Sequence, residues 1–188
     1  MIEALVTSAI VVALAEIGDK TQLLALLLAG RFRQPLPILA GMLVATLANH
    51  ALAGAVGKLL GDALQGPWFR LAVALSFFAF ALWALRPDSL GRAPRYLRPG
   101  MGAFAATLVS FFLVEIGDKT QVATVALAAR FNSLIPVVAG TTLGMCAANL
   151  PVIYFGDAVM KRIPERAARI AAAVLFAALG VLALLEIG

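Results

Sequence analysis

Apolar residues dominate six stretches of the chain, at about 3–29, 36–60, 68–85, 101–129, 134–160 and 166–185. About 20 apolar residues suffice to cross a bilayer as a helix, so each stretch is predicted to be a transmembrane helix. At 1.5 Å per residue the first would reach about 40 Å, so it must tilt, bend or protrude. Gly18 is the candidate point for bending. Pro35 and Pro37 open the second stretch, which carries Thr46, Asn49 and His50 at its middle beside the small residues Gly41, Ala45, Ala48 and Ala51. Such residues favour close helix packing. The third is almost wholly apolar and aromatic, with Trp68 and Trp83 placed as interface anchors. The fifth holds Thr141, Thr142, Cys146 and Asn149, and Pro151 predicts a kink there.

Two polar interruptions break this pattern. Glu16-Ile17-Gly18-Asp19-Lys20-Thr21-Gln22 sits inside the first stretch, and the same seven residues recur 99 positions later, from Glu115 to Gln121, inside the fourth. Insertion scales put a charged residue at mid-membrane at about 2.5–3.5 kcal/mol, so two such clusters imply an intramembrane site for an ion or proton. The same offset relates Arg31-Phe32 to Arg130-Phe131, Pro37 to Pro136, Gly57 to Gly156 and Phe77 to Phe176, and sets His50 opposite Asn149. The chain therefore reads as residues 1–86, a first three-helix repeat; 87–100, a cytoplasmic linker; and 101–188, a second three-helix repeat. Three is odd, so the second copy must enter from the opposite side. The expected fold is an all-α integral membrane protein of six transmembrane helices in two inverted repeats, an architecture found in secondary transporters.

Composition agrees, with 62% hydrophobic and 13% charged residues and a mean hydropathy of +0.97. A soluble domain is nearer half apolar and a quarter charged. The net charge of +5 lies mostly in arginines of short connections, which suits anionic lipid headgroups and not nucleic acid. The first, third and fifth connections hold ten basic residues: Arg31, Arg33, Arg86, Arg92, Arg95, Arg98, Lys161, Arg162, Arg166 and Arg169. The other side holds three, Lys58, Arg70 and Arg130. This excess predicts a cytoplasmic face for the first group and non-cytoplasmic termini. Glu3 and the motif within the first stretch argue against a cleaved signal, so that helix is expected to remain. Cys146 is the only cysteine, which excludes an intrachain disulfide and a thiolate cluster.

On one continuous helix, Glu16 and Asp19 would share a face with Gln22 a turn further on, and Lys20 would be placed to pair with Glu16. Glu115, Asp118, Gln121 and Lys119 repeat the arrangement. Inversion would bring four carboxylates and two carboxamides around one volume. Carboxylate and carboxamide oxygens suit hard cations such as Ca²⁺, Mn²⁺ and Mg²⁺. Four carboxylates and two lysines sum to −2, which one divalent cation or two protons would neutralise. That equivalence points to exchange of a divalent cation for protons. Thr21 and Thr120 are placed either to bond their own backbone or to offer a hydroxyl to the ion. Asn49 and Asn149 suit either ligation or interhelical bonding, and His50 either a proton relay or a neutral hydrogen bond.

The doubled Glu-x-Gly-Asp-Lys-Thr sequence resembles the calcium/manganese–proton exchangers of Golgi and thylakoid membranes and their bacterial manganese-exporter relatives. The resemblance covers essentially the whole chain. It implies Glu16, Asp19, Glu115 and Asp118 as cation ligands, no cofactor, no enzymatic activity, and export of Mn²⁺ or Ca²⁺ from the cytosol against inward proton flow. The chain has no long acidic central loop, which favours a bacterial inner membrane and manganese. Two rivals are weighed against it. A small-solute exporter of the amino-acid type needs room for an organic substrate. An intramembrane lipid-pyrophosphate phosphatase needs a basic residue beside the acids, and Arg31 and Arg130 lie too far along the chain.

Overall fold

The computed structural model describes residues 1–87, 100–156, 158 and 164–186, and among these it contains eight α-helices and no strand. They are α1 (Ile2–Glu16), α2 (Lys20–Phe32), α3 (Pro35–Ala63), α4 (Pro67–Ala84), α5 (Ala103–Glu115), α6 (Lys119–Phe131), α7 (Leu134–Phe155) and α8 (Glu165–Leu185). Four of them, α3, α4, α7 and α8, are long and apolar enough to cross a membrane singly, and α5 is a shorter apolar helix. Arg92, Arg95, Arg98, Lys161 and Arg162, most of the expected linker and the end of the fifth stretch lie outside the described residues.

The first and fourth stretches differ from a single continuous helix. Each is two helices meeting at the motif. At 1.5 Å per residue, α1 and α2 are about 22 and 20 Å long, so neither half matches a bilayer alone. The sequence dictates the break. Gly18 and Gly117 adopt φ of +77° and +74°, a region in which a side chain is disfavoured and which ends a helix. The following aspartate restarts it. Asp19 and Asp118 are extended N-caps whose carboxylates accept from the backbone N–H of Thr21 and Thr120. Gln22 and Gln121, three residues after the caps, reach back so that Oε1 accepts from the N–H of Gly18 (2.9 Å) and Gly117 (2.7 Å). This is a capping box shifted by one residue. Pro151, by contrast, leaves α7 helical through to Phe155.

Helices from the two halves of the chain interleave. Helix α1 packs on α7, and α5 packs on α3; α3 also lies against α7, and α4 against α8. Glycines permit the closest approaches. A Cβ placed on Gly41 would stand 2.6 Å from the Phe104 carbonyl oxygen, and one on Gly140 would stand 2.3 Å from that of Leu5. Beside them are Thr107 and Ser8 respectively. Each of these three pairs (Gly41/Gly140, Leu5/Phe104 and Ser8/Thr107) is related by the 99-residue offset, as are the helices that carry them. Backbone contact of this kind is how helices associate where lipid supplies no hydrophobic drive. One core cluster joins α1, α4, α6, α7 and α8 around Phe77, Leu127 and Phe176; a second joins α2, α3, α5 and α7 around Leu28, Met42 and Phe111. Trp68, Leu82, Ile135 and Phe155 remain largely exposed, as a surface solvated by acyl chains requires.

Candidate cation site

The breaks place the polar groups. Glu16 and Glu115 end α1 and α5, while Asp19 and Asp118 begin α2 and α6. The C-terminal carbonyls of α1 and α5 and the N-terminal amides of α2 and α6 are thus exposed beside the acids. The positive dipole ends of α2 and α6 favour the aspartates they start from.

All four acids are buried. One carboxylate oxygen from each of Glu16, Asp19 and Asp118 lies within 4.8 Å of the other two. The two motif copies therefore meet, although they are far apart in sequence. Glu115 stands beside this trio with His50 Nε2 3.9 Å from its Oε2, and neither makes a side-chain hydrogen bond among the described residues. Thr21 Oγ1 donates to Glu16 Oε2 and lies 3.2 Å from Asp19 Oδ2. Thr120 Oγ1 donates to Asp118 Oδ2 at 3.1 Å. Both threonine hydroxyls are thus engaged by acids of their own motif and not by the helix backbone.

The lysines differ from the expected pairing. Lys20 does not bond Glu16 one turn away, because the helix is interrupted between them. Its Nζ lies 2.7 Å from Asp118 Oδ1, and Lys119 Nζ lies 2.7 Å from Asp19 Oδ1. Each lysine neutralises the aspartate of the other copy. Each aspartate is consequently divided: Oδ2 caps its own helix, and Oδ1 holds the opposite lysine. The Lys119–Asp19 pair is the more deeply placed of the two, and breaking such a pair on one side only costs about 3–5 kcal/mol.

The outer residues are placed less centrally. Gln22 is buried and Gln121 half-buried, with the oxygens turned onto the glycine amides as above; Gln22 Nε2 also donates to the Ala148 carbonyl at 2.8 Å. Asn49 donates to the Phe112 carbonyl at 3.0 Å and so ties α3 to α5, whereas Asn149 donates to the Met145 carbonyl one turn back in its own helix α7 at 3.0 Å. Their buried Oδ1 atoms have no hydrogen-bond partner among the described residues. Arg31 and Arg130 lie over the rings of Phe32 and Phe131, and Arg130 pairs with Glu186, away from the acids.

One neighbour was not legible from the motif. The side chain of Glu165, the first residue of α8, packs over Gly18 so closely that a Cβ there would lie 2.9 Å from its Cγ. Gly117 has open space at the same position, so the two turns are not equivalent.

The model of the divalent cation/proton antiporter GDT1 family matches residues 4–92 and 103–187, which include both motif copies. The chain belongs to that family. It is a transporter and not an enzyme, which sets aside the phosphatase. A Vibrio cholerae protein named "Putative manganese exporter" is 46% identical over 87% of this chain and 82% of its own length. GDT1-like protein 5 of Arabidopsis thaliana is 28% identical over 92% of this chain and 91% of its own length, and GDT1-like protein sll0615 of Synechocystis is 27% identical over 94% of each. No solved structure matches the chain.

Proposed function

We propose that this antiporter moves Mn²⁺, ahead of Ca²⁺, out of the cytosol in exchange for protons across a bacterial inner membrane. The observation that carries this proposal is the meeting of buried Glu16, Asp19 and Asp118 from two motif copies. With Glu115 they form an all-oxygen set of the kind that hard divalent cations favour. Gln22 and Gln121 hold the turns, and the second lone pair of each Oε1 is left to complete the shell. A site 4.8 Å across suits a bare ion and is too crowded with charge for an organic solute. The similarity to the Vibrio protein supports manganese over calcium.

The two halves act as inverted three-helix repeats, supported by the reciprocal packing of α1 on α7 and α5 on α3 and by the glycine contacts that obey the same offset. Four carboxylates and two lysines carry −2 when ionised. Bound M²⁺ or two protons bring the site to neutral, and only a neutral site is cheap to carry through a change of access in low dielectric. The ten-to-three excess of basic residues supports an orientation with both termini on the non-cytoplasmic side.

The test is cation flux in sealed liposomes with Mn²⁺, Ca²⁺ or Mg²⁺, the pH gradient and the potential clamped separately. Acid on the non-cytoplasmic face is expected to drive Mn²⁺ out of the cytoplasmic compartment, and reversing the gradient to return it. Flux indifferent to the pH gradient would reject exchange.

A further inference from the structure

We infer that Lys20 is the mobile counter-ion of the site: it pairs with Asp118, is displaced by an arriving cation only as far as the rim of the site, where its charge still counts toward the neutral sum, and returns to help expel the cation. This rests on the cation site proposed above. The two crossed ion pairs have the same length, 2.7 Å, but not the same surroundings. The Lys20 side chain is 24% exposed and that of Lys119 only 8%. An ammonium leaves its carboxylate at low cost only where water can replace the lost bonds. We take the more accessible Lys20 as the lysine with that route and the enclosed Lys119 as the one without it.

The division of labour on the aspartates makes displacement necessary. Asp118 Oδ2 is held by Thr120 at the start of α6, so Oδ1 is the oxygen left to turn toward a cation, and Lys20 holds it. The same oxygen cannot accept a lysine and bind M²⁺ at full strength. Because Lys20 belongs to one motif copy and Asp118 to the other, its departure removes a bond between the halves at the moment the ion arrives and supplies its replacement. Lys119 on Asp19, shut from water, stays as the fixed link.

The geometry sets opposite expectations for the two lysines. In liposomes carrying the full chain, Lys20→Gln removes the competitor, so KM for Mn²⁺ falls about tenfold or more, the worth of one charge-assisted hydrogen bond. Vmax falls with it, because release loses its assistant, and Lys20→Arg recovers part of the Vmax. Lys119→Gln lowers thermal stability and does not lower KM. A Lys20→Gln protein with KM unchanged or raised overturns the inference. A second measurement needs no variant: a water-soluble acetylating reagent is applied to the wild-type protein with and without Mn²⁺, and modification is read by mass spectrometry. Mn²⁺ is expected to speed acetylation of Lys20 and leave Lys119 unmodified. Protection of Lys20 by Mn²⁺, or no change, overturns the inference. Wild-type liposomes without saturable Mn²⁺ or Ca²⁺ flux would instead bring down the cation site itself.

Discussion

Asp19 and Asp118 each split their two oxygens between a helix cap and a lysine of the opposite motif, so substitutions can separate the tasks. Asparagine caps as well as aspartate does, so Asp19→Asn and Asp118→Asn keep the starts of α2 and α6. Both are expected to abolish Mn²⁺ transport in liposomes. Their stabilities should differ. Asp19→Asn removes the carboxylate charge 2.7 Å from the enclosed Lys119, and its melting temperature in detergent should drop by the larger amount, reflecting about 3–5 kcal/mol. Asp118→Asn releases the more accessible Lys20 and should melt closer to wild type. The pH dependence has a definite sign. Protons and M²⁺ claim the same carboxylates, so cation affinity should weaken as pH falls, with midpoints belonging to the cluster and not to any one acid. Calorimetric titration with Mn²⁺ at stepped pH measures this; affinity rising on acidification would contradict it. The acids themselves were legible in the sequence, because charge in an apolar stretch has few other uses. The lysine partners were not, since i, i+4 spacing offered Lys20 a nearer carboxylate in Glu16.

Between residue and whole molecule, the helices show why that nearer partner is lost. Gly18 and Gly117 stop a helix and the Asp-x-x-Gln that follows starts another, a capping signature present in the sequence but overshadowed by the apolar length around it. Stretch positions were otherwise readable from hydropathy alone, and α3, α4 and α8 begin within a residue of where their prolines or arginines suggest. The contacts between helices were hinted at only by small residues. Gly57 is the tightest among the described residues: a Cβ there would sit 2.1 Å from the Val125 carbonyl oxygen. Since the obstacle is backbone, Gly57→Val must push α3 off α6. It is expected to cost about 1–3 kcal/mol or to prevent folding. A thermal melt of the purified variant decides; wild-type stability would show that α3 yields without cost.

For the whole molecule, repetition was the most legible property, because seven identical residues at a fixed offset survive any uncertainty about boundaries. The odd number of apolar stretches per half then implies inversion. Which helix of one half touches which of the other was not legible, for those contacts join residues roughly a hundred positions apart and leave no periodicity in either. The topology is testable with a chain in which Cys146 is replaced by Ser and single cysteines are introduced. A cysteine at position 2 should react with an impermeant maleimide from the non-cytoplasmic side of oriented vesicles, and one at Arg33 from the cytoplasmic side. Labelling of both from one side would refute the proposed arrangement.

The crossed lysines also bear on how the protein is made. Lys119 leaves the ribosome about a hundred residues after Asp19, a delay of about 5–20 s at ordinary elongation rates. Through that interval the first half waits in or beside the translocon with Asp19 lacking the lysine it meets in the finished fold. Membrane insertion of the first helices is thereby tied to completion of the last, and a ribosome that stalls midway leaves a fragment that quality-control proteases can recognise by its unmatched charge.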